Sequence, residues 1–221
     1  MWTVLPFGAF IVGSMLAPPI VRRVRPAFVM GAGLVLAAVG FGMLTQVDGA
    51  SGLAPLVTGS VVFSLGLAPV FTLATDLIVG SAPPERAGAA SAISETGSEF
   101  GGALGIAVLG SIGTAVYRDQ ITTGVPASIP PEAAEAARAT LGGAVAAAGQ
   151  LPNRLGAPLL DAAREAFVHG LQVTAIISAV IAMSLAILVT VLLRHARAGS
   201  EPETQPGLDQ RIGGDAIMPE P

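Results

Sequence analysis

The chain has 221 residues, of which 52% are apolar and 12% charged, and its mean hydropathy is +0.71. Soluble globular domains carry about 25% charged residues, so this chain has too little polar surface for a water-soluble enzyme. A net charge of −4 argues against a nucleic-acid-binding protein. The chain has no cysteine and no metal, nucleotide or nucleophile motif, so neither a metal site nor a cofactor is expected. The composition predicts an all-α integral membrane protein.

Five segments are long and apolar enough to cross a bilayer, which takes roughly 20 residues. The predicted spans are residues 1–20, 27–47, 53–80, 88–116 and 166–193. The predicted connections are turns at 21–26, 48–52 and 81–87 and a helical hairpin at 117–165. The tail at 194–221 is rich in Pro, Gly, Glu and Asp, which favours disorder.

The arginines predict the orientation of these spans. Short cytoplasmic loops are enriched in basic residues, and here the basic residues of the short connections and of the C-terminal flank are Arg22, Arg23, Arg25, Arg86, Arg194 and Arg197. We therefore expect a multi-pass protein of the cell membrane with its C-terminus in the cytoplasm and the hairpin outside. Five spans that begin outside without a leader predict the C-terminal part of a larger protein.

Glu95 and Glu99 lie inside the fourth predicted span, where ionisable groups are costly and are by default candidates for function. Their spacing puts both on one helix face, roughly 13 Å and 20 Å along the helix from Arg86. Two carboxyl groups near the membrane midplane cannot both ionise at low cost, so the pair is expected to load and unload a proton. The pair is thus a predicted proton-coupling and cation-binding site. In the structural alternative, partners in other helices satisfy both carboxylates and the pair only holds the bundle together.

The same span carries a stripe of small residues, Gly97, Gly101 and Gly105, which predicts close approach of another helix. At 100° per residue the stripe lies roughly 140° around the helix from the carboxylates. The polar strip beside the carboxylates consists of Ser91, Ser98 and Gly102, and the sector suited to lipid consists of Ile93, Phe100 and Leu104.

Asp76 lies about one turn from the cytoplasmic end of the third span. This position predicts a gating or structural ion pair with Arg86, Arg22 or Arg23. The glycines of the second span are predicted to be packing residues: Gly31, Gly33, Gly40 and Gly42. Trp2 and Tyr117 fit interfacial anchors.

Two stretches carry a family resemblance. GSMLAPPIVRRVRP (13–26) resembles the glycine-and-arginine cytoplasmic turn of the major facilitator superfamily, in its second-half version. TDLIVGSAPPERAGAASAISETGSEFGGALGIAVLGSI (75–112) is similar to the penultimate spans of the fourteen-span drug/proton antiporters, which include quaternary-ammonium and multidrug exporters. The resemblance covers residues 1–197 and implies that the five spans belong to the C-terminal bundle, as the last five of fourteen. It also implies that nine spans precede them and that the hairpin is external.

The resemblance implies a proton-coupled efflux transporter that exports amphipathic, cationic compounds by alternating access. Glu95 and Glu99 carry over as the proton and cation residues, and Asp76 as a common acid of its span. The expected partners are the lipid bilayer, protons, a small amphipathic cation and the N-terminal transporter half, with no nucleic acid. Two alternatives remain open. One is an exporter of a neutral or anionic metabolite, and the other is a non-transporting membrane remnant or scaffold.

Overall fold

The computed structural model describes residues 4–48 and 53–193, and all regular secondary structure in these ranges is helical. The helices are α1 (Val4–Val21), α2 (Pro26–Leu44), α3 (Leu53–Gly80), α4 (Ala87–Gly124), α5 (Pro131–Ala139), α6 (Leu141–Ala148) and α7 (Asn153–Leu193), with a short 3-10 turn at Pro84–Arg86 before α4. Five of them, α1 to α4 and α7, are long and apolar enough to cross a membrane. The expected all-α membrane fold is confirmed. The tail at 194–221, Trp2 and residues 49–52 lie outside the described residues.

Helix α2 is the centre of the bundle. It packs along α3 on one side and along α7 on the other, while α1 packs on α3 and α4 packs on α7. Short connections reverse the chain between successive long helices. The turn at 22–25 and the turn at Pro84–Arg86 therefore lie at one end of the bundle, the arginine end. Helices α5 and α6 lie at the other end, the hairpin end.

Proline sets the reversal between α1 and α2. Pro18 and Pro19 lack the backbone N–H that a continuing helix needs, and α1 ends at Val21. Arg25 is extended, with ψ 138°, as expected for a residue before proline. Pro26 then opens α2 at the first helical position, where its missing N–H costs nothing.

Glycines mark the closest helix crossings, because they let two backbones approach. A Cβ on Gly33 would lie 2.5 Å from the carbonyl oxygen of Gly66 on α3, and one on Gly40 would meet the α3 backbone. A Cβ on Gly31 would come just as close to the hydroxyl oxygen of Thr190 on α7. The prediction that these three glycines of α2 are packing residues is confirmed. For Gly42 it is wrong, since nothing lies within 4 Å of its Cβ position.

Helices α4 and α7 are longer than the predicted spans. α4 has 38 residues, about 57 Å at 1.5 Å per residue, against a hydrocarbon core of about 30 Å. It passes residue 116 without a break because no proline or glycine lies between residue 116 and Gly124. The helix ends at Gly124, two residues before Pro126. α7 likewise begins at Asn153, well before the predicted start of its span at residue 166. Only α5 and α6 form the separate hairpin.

The hairpin end has an apolar core of its own, built from the last turns of α4, from α5 and α6, and from the first turns of α7. Ile121 and Leu159 are its largest fully buried side chains. Tyr117 is 5% exposed, and its hydroxyl donates a 2.7 Å hydrogen bond to the Ala137 carbonyl. The interpretation of Tyr117 as an interfacial anchor is therefore wrong. It ties α4 to α5.

Candidate functional site

Glu95 and Glu99 project from consecutive turns of α4, about 12 Å and 18 Å from its first residue. Both side chains are exposed. Neither carboxylate has a hydrogen-bond or ion-pair partner in the part of the chain that the structure describes. Two acidic groups thus lie side by side near the middle of an apolar span, and no cation among residues 4–48 and 53–193 neutralises them.

Most other side chains in this half of α4 are also exposed, although α4 does contact α3. The side chains of the predicted lipid-facing sector are widely exposed, with Ile93 at 71%, Phe100 at 69% and Leu104 at 53%. None of the described helices covers the strip beside the carboxylates, where Ser98 and Gly102 are exposed. α4 rests on its neighbour α7 mainly toward the hairpin end.

The predicted glycine stripe has no partner within the described ranges. Nothing lies within 4 Å of a Cβ built on Gly97, Gly101 or Gly105. These positions differ from the glycines of α2, where the neighbouring backbone is already in place. That another helix packs along this stripe stays a prediction.

Asp76 is exposed on α3, four residues before the helix ends at Gly80. Arg22, Arg23 and Arg86 are exposed at the same end of the bundle. Among residues 4–48 and 53–193, no ion pair joins Asp76 to any of the three arginines. The structure brings the acid and the arginines to one end but not into contact.

Sequence reasoning missed the crossing of α4 and α7. A Cβ on Gly170 would lie 2.9 Å from the Gly113 carbonyl oxygen, and one on Gly113 would lie 3.3 Å from Thr174. Gly113 follows Glu95 by eighteen residues, or five turns, and so lies on the same helix face. Extending the helical wheel of α4 past Gly105 would have found this position.

A cavity of about 620 Å³ lies beside this crossing. Its walls come from the end of α2, from α4 and α7, and from the junction of α5 and α6. Phe41 and Phe167 face it from α2 and α7, Tyr117 from α4 and Thr140 from the junction. None of the lining residues carries a formal charge. In the described ranges, no three His, Cys, Asp or Glu side chains cluster in a way that could hold a metal ion.

Known proteins similar to this chain are drug exporters and resistance proteins. The multidrug efflux pump LfrA of Mycolicibacterium smegmatis is 41% identical over 174 residues, which are 79% of this chain and 34% of the pump. The tetracenomycin C resistance and export protein of Streptomyces glaucescens is 31% identical over 181 residues, 80% of this chain and 34% of that protein. The methyl viologen resistance protein SmvA of Salmonella typhimurium is 30% identical over 153 residues, 69% of this chain and 30% of SmvA. No family model matches the chain.

The homology extends over most of the chain and over its apolar helices. The chain belongs to the major facilitator family of drug exporters. It spans about a third of the length of the curated relatives that it matches. The relatives are named for efflux, export and resistance, which agrees with the expectation of a membrane transporter rather than an enzyme.

Proposed function

We propose that the intact protein is a proton-coupled transporter that expels amphipathic cations, and that Glu95 and Glu99 bind the proton and the cation in turn. The observation that carries the proposal is the pair of adjacent carboxylates, exposed near the middle of a span and without a partner in the described chain. Inside the membrane, a carboxylate pair is stable only when a cation or a proton compensates its charge. Substrate and proton then compete for one site, which couples the two fluxes.

The proposed cycle follows from this competition. The cationic substrate enters the cavity from the inner side of the membrane and neutralises the carboxylates. Protonation from outside weakens its binding and releases it, and loss of the proton to the cytoplasm resets the site. Asp76 would form its ion pair with an arginine at the arginine end in one of the two conformations of this alternating-access cycle.

The other segments of the transporter are part of this proposal. The open space along Gly97, Gly101 and Gly105 suits close approach of a helix from the N-terminal half. That half would complete the cavity in front of the carboxylates. In this arrangement the arginine end and the C-terminus face the cytoplasm, in the cell membrane, and the hairpin end faces outward.

The test is ethidium efflux from cells that express the intact transporter, driven by an imposed proton gradient. For Glu95→Gln combined with Glu99→Gln we expect the efflux rate to fall at least about tenfold, because charge-assisted contacts are worth about 1.5–3 kcal/mol. Glu85→Gln is the matched control, since Glu85 is an exposed carboxylate in the 3-10 turn at the arginine end. Unchanged proton-driven efflux in the double variant would contradict the proposal.

A second candidate is export of a neutral or anionic metabolite. It is favoured by the similarity to the tetracenomycin C export protein, whereas the similarity to the methyl viologen resistance protein favours a cation. Competition between ethidium and a second compound distinguishes the two candidate functions. If cations are the substrates, methyl viologen slows ethidium efflux and tetracenomycin C does not, because the carboxylates disfavour an anion.

A further inference from the structure

The cavity at the hairpin end is of a size and character that suit a small organic molecule. Ligand pockets of proteins have volumes of about 300–1,000 Å³ and are lined mainly by apolar and aromatic side chains. This cavity is open on one side and has a volume of about 620 Å³. Phe41 and Leu44 of α2 form one wall, and Phe167 and Leu171 of α7 form another. Apolar and aromatic groups thus face each other across the space.

Three of the five hydroxyl groups in the lining already donate to backbone carbonyls of the protein itself, whereas Thr140 accepts the Gly143 N–H and Thr114 has no partner in the described ranges. The Tyr117 hydroxyl donates to the Ala137 carbonyl at 2.7 Å, the Thr174 hydroxyl to the Gly170 carbonyl at 3.0 Å, and the Ser178 hydroxyl to the Thr174 carbonyl at 2.8 Å. These three hydroxyl groups have no second hydrogen to donate to a ligand, which leaves Thr114 and Thr140 as the only lining side chains that could donate one. Together with the absence of charged lining residues, this makes the cavity suited to apolar and aromatic groups rather than to an ion.

The cavity lies on the same face of α4 as the two carboxylates. Eighteen residues make five helical turns, so Gly113 lies directly above Glu95 along the helix, and Tyr117 directly above Glu99. Both Gly113 and Tyr117 line the cavity. The distance along the helix is about 27 Å. One face of α4 therefore leads from the acidic pair near the middle of the span to the aromatic cavity near its hairpin end.

We infer that this cavity is a second substrate site, which receives the aromatic, apolar part of an amphipathic molecule after it has left the carboxylates. The inference rests on the proposed function, because it takes the acidic pair as the inner site and the hairpin end as the outward side. The charge holds the substrate at the inner site, and apolar contact holds it at the outer one. Protonation of the carboxylates then shifts the molecule outward along α4.

The test is photolabelling of the intact transporter with ethidium monoazide, followed by digestion and mass spectrometry. We expect adducts in residues 107–118 of α4 and 167–178 of α7. Gly110 lines the cavity and has nothing within 4 Å of its Cβ position, so Gly110→Leu adds an isobutyl group at the cavity wall. We expect this variant to lower the adduct yield by at least about threefold, because the added side chain occupies space that the ligand's aromatic part needs for its contacts. Gly88→Leu is the matched control, an equally open glycine at the other end of α4, and should label like the wild type.

Phe167→Ala is a second variant, which removes an aromatic side chain from the cavity wall instead of adding a side chain to it. We expect it to lower labelling about two- to tenfold, the effect of one aromatic contact. Absence of adducts from both segments, or wild-type labelling in both cavity variants, overturns the inference. Labelling of these segments that appears only after delipidation assigns the cavity to a phospholipid and also overturns it. The proposed function fails separately, through unchanged ethidium efflux when Glu95 and Glu99 are both glutamine.

Discussion

The crossing of α2 and α3 is the contact whose loss should weaken the bundle most directly, and Gly33→Ala tests it. A Cβ at this position would lie 2.5 Å from the Gly66 carbonyl oxygen, 3.1 Å from Val70 and 3.3 Å from Pro69. Real Cβ contacts essentially never fall under 3.0 Å, so the two backbones must move apart by about half an ångström, from 2.5 Å to 3.0 Å or more. The backbone oxygen cannot rotate away as a side chain could.

The magnitude follows from two opposing effects. Alanine is favoured over glycine inside a helix by about 1 kcal/mol, whereas overpacking a well-packed contact costs about 1–3 kcal/mol. Gly42→Ala has only the first effect, since Gly42 lies on the same helix in open space. We therefore expect the free energy of unfolding of Gly33→Ala to be about 1–3 kcal/mol lower than that of Gly42→Ala.

The assay is titration of the purified intact transporter with sodium dodecyl sulfate, with helix content followed by circular dichroism. The difference between the two alanine variants cancels the effect of helix propensity and isolates the crossing. Equal unfolding free energies for Gly33→Ala and Gly42→Ala would refute the reasoning. They would mean that α2 and α3 separate at this point without cost.

Two further predictions concern the hairpin end. Tyr117→Phe leaves the Ala137 carbonyl without its donor, and should lower local stability by about 1–3 kcal/mol, measured as faster amide hydrogen exchange in α5. Thr140→Ala removes the side-chain oxygen that accepts the Gly143 N–H at the start of α6, and should speed exchange in α6 by the equivalent of about 0.5–2 kcal/mol. Thr123→Ala, whose hydroxyl only bonds its own helix, should leave both helices unchanged, and equal effects of all three variants would contradict the assignment of these contacts.

Much of the fold follows from local properties of the sequence. The number of spanning helices follows from apolar length, since a bilayer demands about 20 apolar residues per span. The spacing of Glu95 and Glu99 predicts neighbouring carboxylates on α4, because helical periodicity is a local property. Close packing of Gly31, Gly33 and Gly40 follows from the enrichment of small residues at membrane helix interfaces.

Other features could not be read in the same way. Nothing local distinguishes Gly42, which faces open space, from Gly40, which meets the α3 backbone. Tyr117 has the amphipathic character of an interfacial anchor, and only the position of α5 turns it into a buried hydrogen-bond donor. The ion pair predicted for Asp76 depended on side-chain reach at the end of the bundle, and there the structure leaves the acid unpaired with Arg22, Arg23 and Arg86.

The sequence by itself determined an apolar helical chain, the length of its spans and the acidic pair within one of them. These depend on composition and on periodicities of a few residues, which act at short range along the chain. Only the tertiary structure decided that Gly113 meets Gly170 and that α2, α4, α7 and the hairpin line an open cavity above the carboxylates. Such contacts join residues that are dozens of positions apart, and they depend on how whole helices cross, which no local pattern specifies.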